Sequence, residues 1–317
     1  MASSLTWLLA ARVLVGMGVS ACLMAPLTGY RRWFDAQALL RANSWMLMTG
    51  SLGMLASTLP VQWLMPMLGW RPLFWLLAAM ILLSMAAIAW VVPAWQVLPG
   101  AKTTTPASSS NYSEVWKNRY FRRLSPLAFF NYGGLVAIQT LWAGPWMVRV
   151  AGYSPLQAAT GLFYINAVML VTFWSWGMFN PWLQRRGWHA DRLLAWGVPL
   201  SLLVLAANIW AGPACGWLGW ALFCCSCSVL GLAQPAVGMA FAPNVAGRAM
   251  SAYNLVIFAG VFVVQWGLGL LVDAFAGLGL SQVGSFQAAM TVFLCCSIAS
   301  YGYFVSQGDV KVDNLSK

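Results

Sequence analysis

Few side chains in this sequence can do chemistry, and most of those are neutral polar groups set inside apolar runs. Gln139, Trp142 and Trp146 share a helical face, with Pro145 loosening the backbone beside them; Asn254, Phe258, Val261 and Gln265 follow one another at i, i+4, i+7 and i+11. Amides and indole N–H groups at such positions exchange hydrogen bonds with a polar solute, and aromatic faces wall the cavity that holds it. The same stripes suit hydrogen bonds between neighbouring helices, worth only about 0.6 kcal/mol on average in a bilayer. Arg12 is the only basic residue well inside an apolar run, where a helix-centre position costs about 2.5 to 3.5 kcal/mol on insertion. It either meets an anionic group of a solute or braces the packing of helices. Gly16 and Ser20 on the same face favour bracing. Cys227, Gly231, Gln234 and Gly238 form a small-residue stripe that fits packing.

Other chemistries lack their residues. No Gly-rich loop ends in Lys-Ser or Lys-Thr, so ATP-driven pumping has no support. The seven cysteines fall in or beside apolar runs without histidines at metal spacing. No metal and no cofactor is therefore expected. The single histidine, His189, stands near Arg186 and Asp191 in a polar connection and reads as a solvated loop residue. Asp35, Glu114, Asp191, Asp309 and Asp313 lie in connections or the tail, and Asp273 ends an apolar run. With no carboxylate at the bilayer midplane, proton coupling is hard to build. No cluster of histidines or acids suggests an intramembrane enzyme, so the chain is not expected to be one.

The elements that position these groups follow from composition. Of 317 residues 61% are hydrophobic and 7% charged, and the mean hydropathy is +0.73. Soluble domains carry roughly a quarter charged residues, so lipid is the solvent for most of this chain. Backbone groups in lipid must pair internally, and apolar runs of about twenty residues select helices over barrel strands. The expected fold class is an all-α membrane protein, a polytopic bundle of about nine transmembrane helices. Met1 to Leu9 lacks a basic n-region and a cleavage site, so no signal peptide is expected.

The predicted spans run Leu5 to Thr28, Ala42 to Met65, Leu73 to Val92, Ser125 to Val148, Pro155 to Phe179, Arg192 to Trp210, Trp217 to Phe241, Arg248 to Val272 and Ser281 to Val305. One long polar interval, Pro93 to Leu124, separates the first three from the last six. In it Tyr112, Val115, Trp116 and Tyr120 recur at helical spacing while Lys117, Arg119 and Arg123 point elsewhere. That pattern fits a helix lying on an anionic leaflet and equally a solvated linker.

Lysine and arginine alternate between successive connections, 14 on one side and 2 on the other, with Arg12 left inside the first span. The amino terminus is therefore expected outside and the carboxyl terminus in the cytoplasm. The formal charge of +11 sits at the ends of apolar runs, so it points to the membrane surface and not to nucleic acid.

Three local patterns carry a family resemblance. The run Ala11-Arg12-Val13-Leu14-Val15-Gly16-Met17-Gly18 is similar to the fourth-helix motif of the major facilitator superfamily (MFS) of secondary transporters. Gly69-Trp70-Arg71-Pro72-Leu73-Phe74 resembles that family's turn into its sixth helix, and Gly247-Arg248-Ala249 before Tyr253-Asn254 its approach to the eleventh. Gly177, Leu183, Arg185, Arg186 and Gly187 match part of the family's loop signature in the second half, without its acidic residue.

The resemblance implies a partial MFS fold (3 + 6) that lacks the first three of twelve helices. It divides the chain into a partial amino-terminal half (1–93), a cytoplasmic linker (94–124), a six-helix carboxyl-terminal half (125–306) and a cytoplasmic tail (307–317). It implies transport of a small organic solute by alternating access in the cell (inner or plasma) membrane. The alternative is a shortened, transport-inactive carrier or a product started too late. Expected partners are membrane lipid and a small-molecule solute, with a coupling ion as a further candidate. The expected cavity residues are Arg12, Gln139, Trp142, Trp146, Asn254 and Gln265.

Overall fold

A computed structural model describes residues 4–19, 22, 26, 46, 48–92 and 112–308. The connection holding Arg31, Arg32, Asp35 and Arg41, the run around Lys102, and the tail with Asp309, Lys311, Asp313 and Lys317 lie outside the described residues. The chain divides into two compact units, Met1–Gly53 and Met54–Lys317. Among the described residues every regular element is helical.

The first unit contributes α1 (Leu5–Val19), which is apolar apart from Thr6 and Arg12 and exposed along its length. Close packing is not seen at Gly16, where an added Cβ would meet nothing within 4 Å.

The second unit begins with residues 54–56 in a helix, a turn at Ser57 and Thr58, and α2 (Leu59–Leu68). The predicted second span is thus interrupted. Both turn hydroxyls bond back to carbonyls, Ser57 to Met54 at 2.8 Å and Thr58 to Leu55 at 2.7 Å, and Pro60 has no N–H with which to continue the ladder. Gly69 at φ 72° turns the chain into α3 (Trp70–Val91), a backbone conformation that other residues rarely adopt.

After α4 (Tyr112–Lys117), Asn118 caps the next helix by accepting from the Tyr120 and Phe121 amides at 2.9 and 3.1 Å. That helix, α5, is one run over residues 119–149 built from five segments. Two are π-turns, Leu127–Tyr132 and Ile138–Trp142. Pro145 follows the second and cannot bond the Leu141 carbonyl, which removes one rung of the α ladder beside it.

The bundle is completed by α6 (Pro155–Arg185), α7 (Ala190–Ala211), α8 (Trp217–Met239), α9 (Pro243–Gly277) and α10 (Gln282–Ser306). In α8 a 3-10 stretch, Ser228–Leu232, precedes Pro235. Six helices are long and apolar enough to cross a membrane among the described residues, and they match the predicted third, fifth, sixth, seventh, eighth and ninth spans. The predicted first, second and fourth spans fall on α1, on the interrupted pair and on α5 with its π-turns. The chain is an all-α, polytopic membrane protein.

Contacts around the bundle run from α5 to α9, α10, α7, α8, α6 and back to α5. The tightest crossing is α5 on α9: a Cβ on Gly133 would lie 2.8 Å from the Gly260 carbonyl carbon, and one on Gly260 would overlap the Phe129 carbonyl. Small residues let two backbones approach where lipid offers no hydrophobic drive to press helices together. One end is filled by Trp146, set edge-on to Trp220 at 5.3 Å and to Phe286 at 6.3 Å.

The polar interval's second half is folded onto this bundle. Val115, Tyr120, Phe121, Arg123 and Leu124 are buried, Trp116 stands edge-on to Phe121 at 5.1 Å, and α4 touches α9. Arg123, expected to point away from the aromatic face, instead points inward. A guanidinium is tolerated there because a carboxylate and a carbonyl meet it, as described below.

Candidate functional site

The second π-turn of α5 carries the polar groups that meet its neighbours. Gln139 is buried and donates from Nε2 to Oδ1 of Asn166 on α6 at 2.8 Å; Asn166 in turn donates from Nδ2 to the Leu162 carbonyl at 3.0 Å. One residue on, Thr140 is exposed. Its Oγ1 donates to the Val136 carbonyl at 2.6 Å and accepts from Nε2 of Gln265 on α9 at 3.0 Å. Trp142 donates from Nε1 to the Gln265 backbone carbonyl at 3.1 Å, its ring lying against Gly269. A single widened turn of α5 thus meets both α6 and α9, and the cluster steps from an open face at Thr140 to a closed one at Gln139.

Gln139 stands ten residues before the exposed Arg149, about 15 Å along the axis at 1.5 Å per residue. Neutral amides in an apolar helix cost less than charges and still need partners, which they find in one another.

The structure separates the six expected cavity residues. Gln139, Trp142 and Gln265 come together. Trp146 is turned into the aromatic end of the bundle, where Nε1 donates to the Cys215 carbonyl at 3.2 Å; it packs and does not line the cluster. Asn254 is half-buried eleven residues from Gln265, about 16 Å along α9, with the Gly260 crossing between them. Arg12 lies in the other unit. Of the α9 stripe, Phe258 is exposed and Val261 half-buried. In the α8 stripe, Cys227 is buried and Gly238 sits under Met250, while Gly231 has nothing within 4 Å. His189 is the exposed residue that precedes α7 and makes no side-chain cap.

Two features were missed in the sequence. Asn166 is the only Asn well inside the fifth apolar run, and that isolation was the available signal. The other is a charged cluster at the far end of α5. Asp191, read as a loop residue, belongs to the first turn of α7. Its Oδ2 lies 2.8 Å from Nη1 of Arg123, and its Oδ1 accepts the Tyr120 hydroxyl at 2.6 Å. Arg123 also donates from Nε to the Phe304 carbonyl at 3.1 Å and lies over the Phe304 ring. Arg119 reaches the Gln307 carbonyl at 3.1 Å. Burial, and then the neighbouring Asp191 carboxylate, push the Tyr120 phenol well above its ordinary value, so it stays a donor. The cluster ties the start of α5 to α7 and to the end of α10.

The family model for the Major Facilitator Superfamily matches residues 1–265. The chain belongs to that superfamily. No curated protein matches it. Membership in the major facilitators makes this a multi-pass membrane transporter.

Proposed function

We propose that this major facilitator moves a small organic solute by alternating access, with the α5 cluster as part of the solute's path. The observation that carries the reading is the Gln139–Asn166 pair beside the open Thr140–Gln265 bond, with Gln139 and Thr140 on a π-turn. Interhelical hydrogen bonds of this kind are worth about 0.6 kcal/mol on average. A solute offering matching donors and acceptors therefore displaces them at little cost. π-turns recur at functional sites because their hydrogen bonding is already relaxed from the α pattern.

In the same reading residues 1–93 and 125–306 rock against each other across the linker 94–124. The amino terminus lies outside, and the tail 307–317 is cytoplasmic. Arg12 and Asn254 remain candidates as further polar contacts, and a coupling ion is a candidate partner.

Uptake by vesicles containing the chain tests the solute path. Gln139→Ala and Asn166→Ala are each expected to lower the initial rate about tenfold, the loss of one to two well-placed hydrogen bonds, with protein in the membrane at the unsubstituted level. Unchanged uptake in both variants removes the cluster from the path. Reporter tags at the two termini test the orientation, which fails if both report the same compartment.

A further inference from the structure

The connection between α6 and α7 sorts its charges by direction. Its one carboxylate, Asp191, faces inward and has both oxygens engaged by Arg123 and Tyr120. Arg185, Arg186 and Arg192 are exposed, and Arg123–Asp191 is the only ion pair among the described residues. Two of these arginines sit over indoles, Arg186 over Trp182 at 4.1 Å and Arg192 over Trp188 at 4.6 Å. Gly187 at φ 78° closes the turn, with the Arg186 and Trp188 amides both bonded to the Leu183 carbonyl at 3.0 Å. The turn is therefore tight, and the three exposed arginines fall within eight residues of sequence.

We propose that this connection holds the phosphate of an anionic phospholipid. A guanidinium stacked on an indole has its face occupied and its in-plane N–H edge free, and that edge is what grips a phosphate oxygen pair. Indoles at the end of a membrane helix rest at headgroup depth, beside the glycerol and the first acyl carbons. A zwitterionic headgroup cancels its own phosphate charge and gives three guanidiniums little to gain. Free phosphate supplies the charge but nothing for the indoles to lie against, so the lipid is the better occupant. The inward Asp191 is what makes this possible: turned outward, it would neutralise one arginine of the three.

The proposal rests on the reading above that places this connection on the cytoplasmic side, where anionic lipid faces basic loops. Binding in detergent has no sides, so the terminal tags and the binding experiment fail independently. The full chain in neutral detergent is titrated with phosphatidylglycerol and with phosphatidylcholine, and retained lipid is counted by native mass spectrometry.

The unsubstituted chain is expected to prefer phosphatidylglycerol at least about tenfold, allowing roughly fivefold per basic residue less mutual crowding. Arg185→Gln, Arg186→Gln and Arg192→Gln together are expected to abolish that preference. The charge-matched control, Lys117→Gln, Arg122→Gln and Arg149→Gln, is expected to keep it. Should the triple variant not fold, Arg186→Lys with Arg192→Lys keeps the charge, loses the planar edge, and is expected to weaken binding about threefold. Equal retention of both lipids, a preference that survives the triple Gln substitution, undiminished binding in the double Lys variant, an equal loss in the control, or displacement of the lipid by equimolar inorganic phosphate would each overturn the proposal.

Discussion

The two polar clusters on α5 are held in different ways. At its start, Arg123, Asp191, Tyr120 and the Phe304 carbonyl form a charged, buried cluster in which each donor has a strong acceptor. At the second π-turn, Gln139, Asn166, Thr140 and Gln265 form a neutral one, partly open, with single hydrogen bonds. Charge-assisted bonds are roughly twice as strong as neutral ones, and removing one partner strands the other in a medium that cannot solvate it. The first cluster ties α5 to α7 and α10 through charge, while the second joins α5 to α6 and α9 by weaker, neutral bonds.

Breaking the charged cluster should have the largest effect. Asp191→Ala leaves Arg123 buried without its counter-ion, which costs 3 to 5 kcal/mol in dry sites; with the Asp191 side chain 23% exposed, about 3 kcal/mol is expected. The measurement is the thermal unfolding of the chain in detergent, and a variant that melts like the parent would make the contrast between the clusters meaningless.

An intermediate effect is expected between them, at the crossing. Gly260→Val forces a side chain against the Phe129 carbonyl and should cost about 1 to 3 kcal/mol as overpacking. Gly231→Val, in open space, serves as its unaffected counterpart in the same melt.

The smallest effect is expected at the neutral cluster. A double-mutant cycle on Gln139 and Asn166, read by the same unfolding, should return a coupling of about 0.6 kcal/mol. A coupling above about 2 kcal/mol would put both clusters in the same class and remove the reason to assign them different roles.

Apolar runs of membrane length located α3 and α6 to α10 to within a few residues, because hydropathy averaged over about twenty residues is the quantity the bilayer selects. The same averaging hides whatever happens inside one turn. The π-turns of α5 shift the hydrogen-bond register without changing composition, and the break at Ser57 and Thr58 lies in a run that stays apolar throughout. The start of α5 at Arg119 was obscured for a related reason: Arg123 and Asp191 each read as surface charge, and only their meeting across 68 residues lets both come inside. Of the expected cavity residues, Gln139, Trp142 and Gln265 meet one another while Trp146 and Asn254 lie apart from them, since a shared face on one helix does not say which neighbour that face meets.

The crossing of α5 and α9 has a mechanical consequence. Where Gly133 and Gly260 meet there is no side chain to compress, and a ridge on either helix would strike main chain, so the two can swivel about this point but cannot slip past it. A pivot at this point would give a small tilt of α9 near Tyr253 the opposite sense near Gln265.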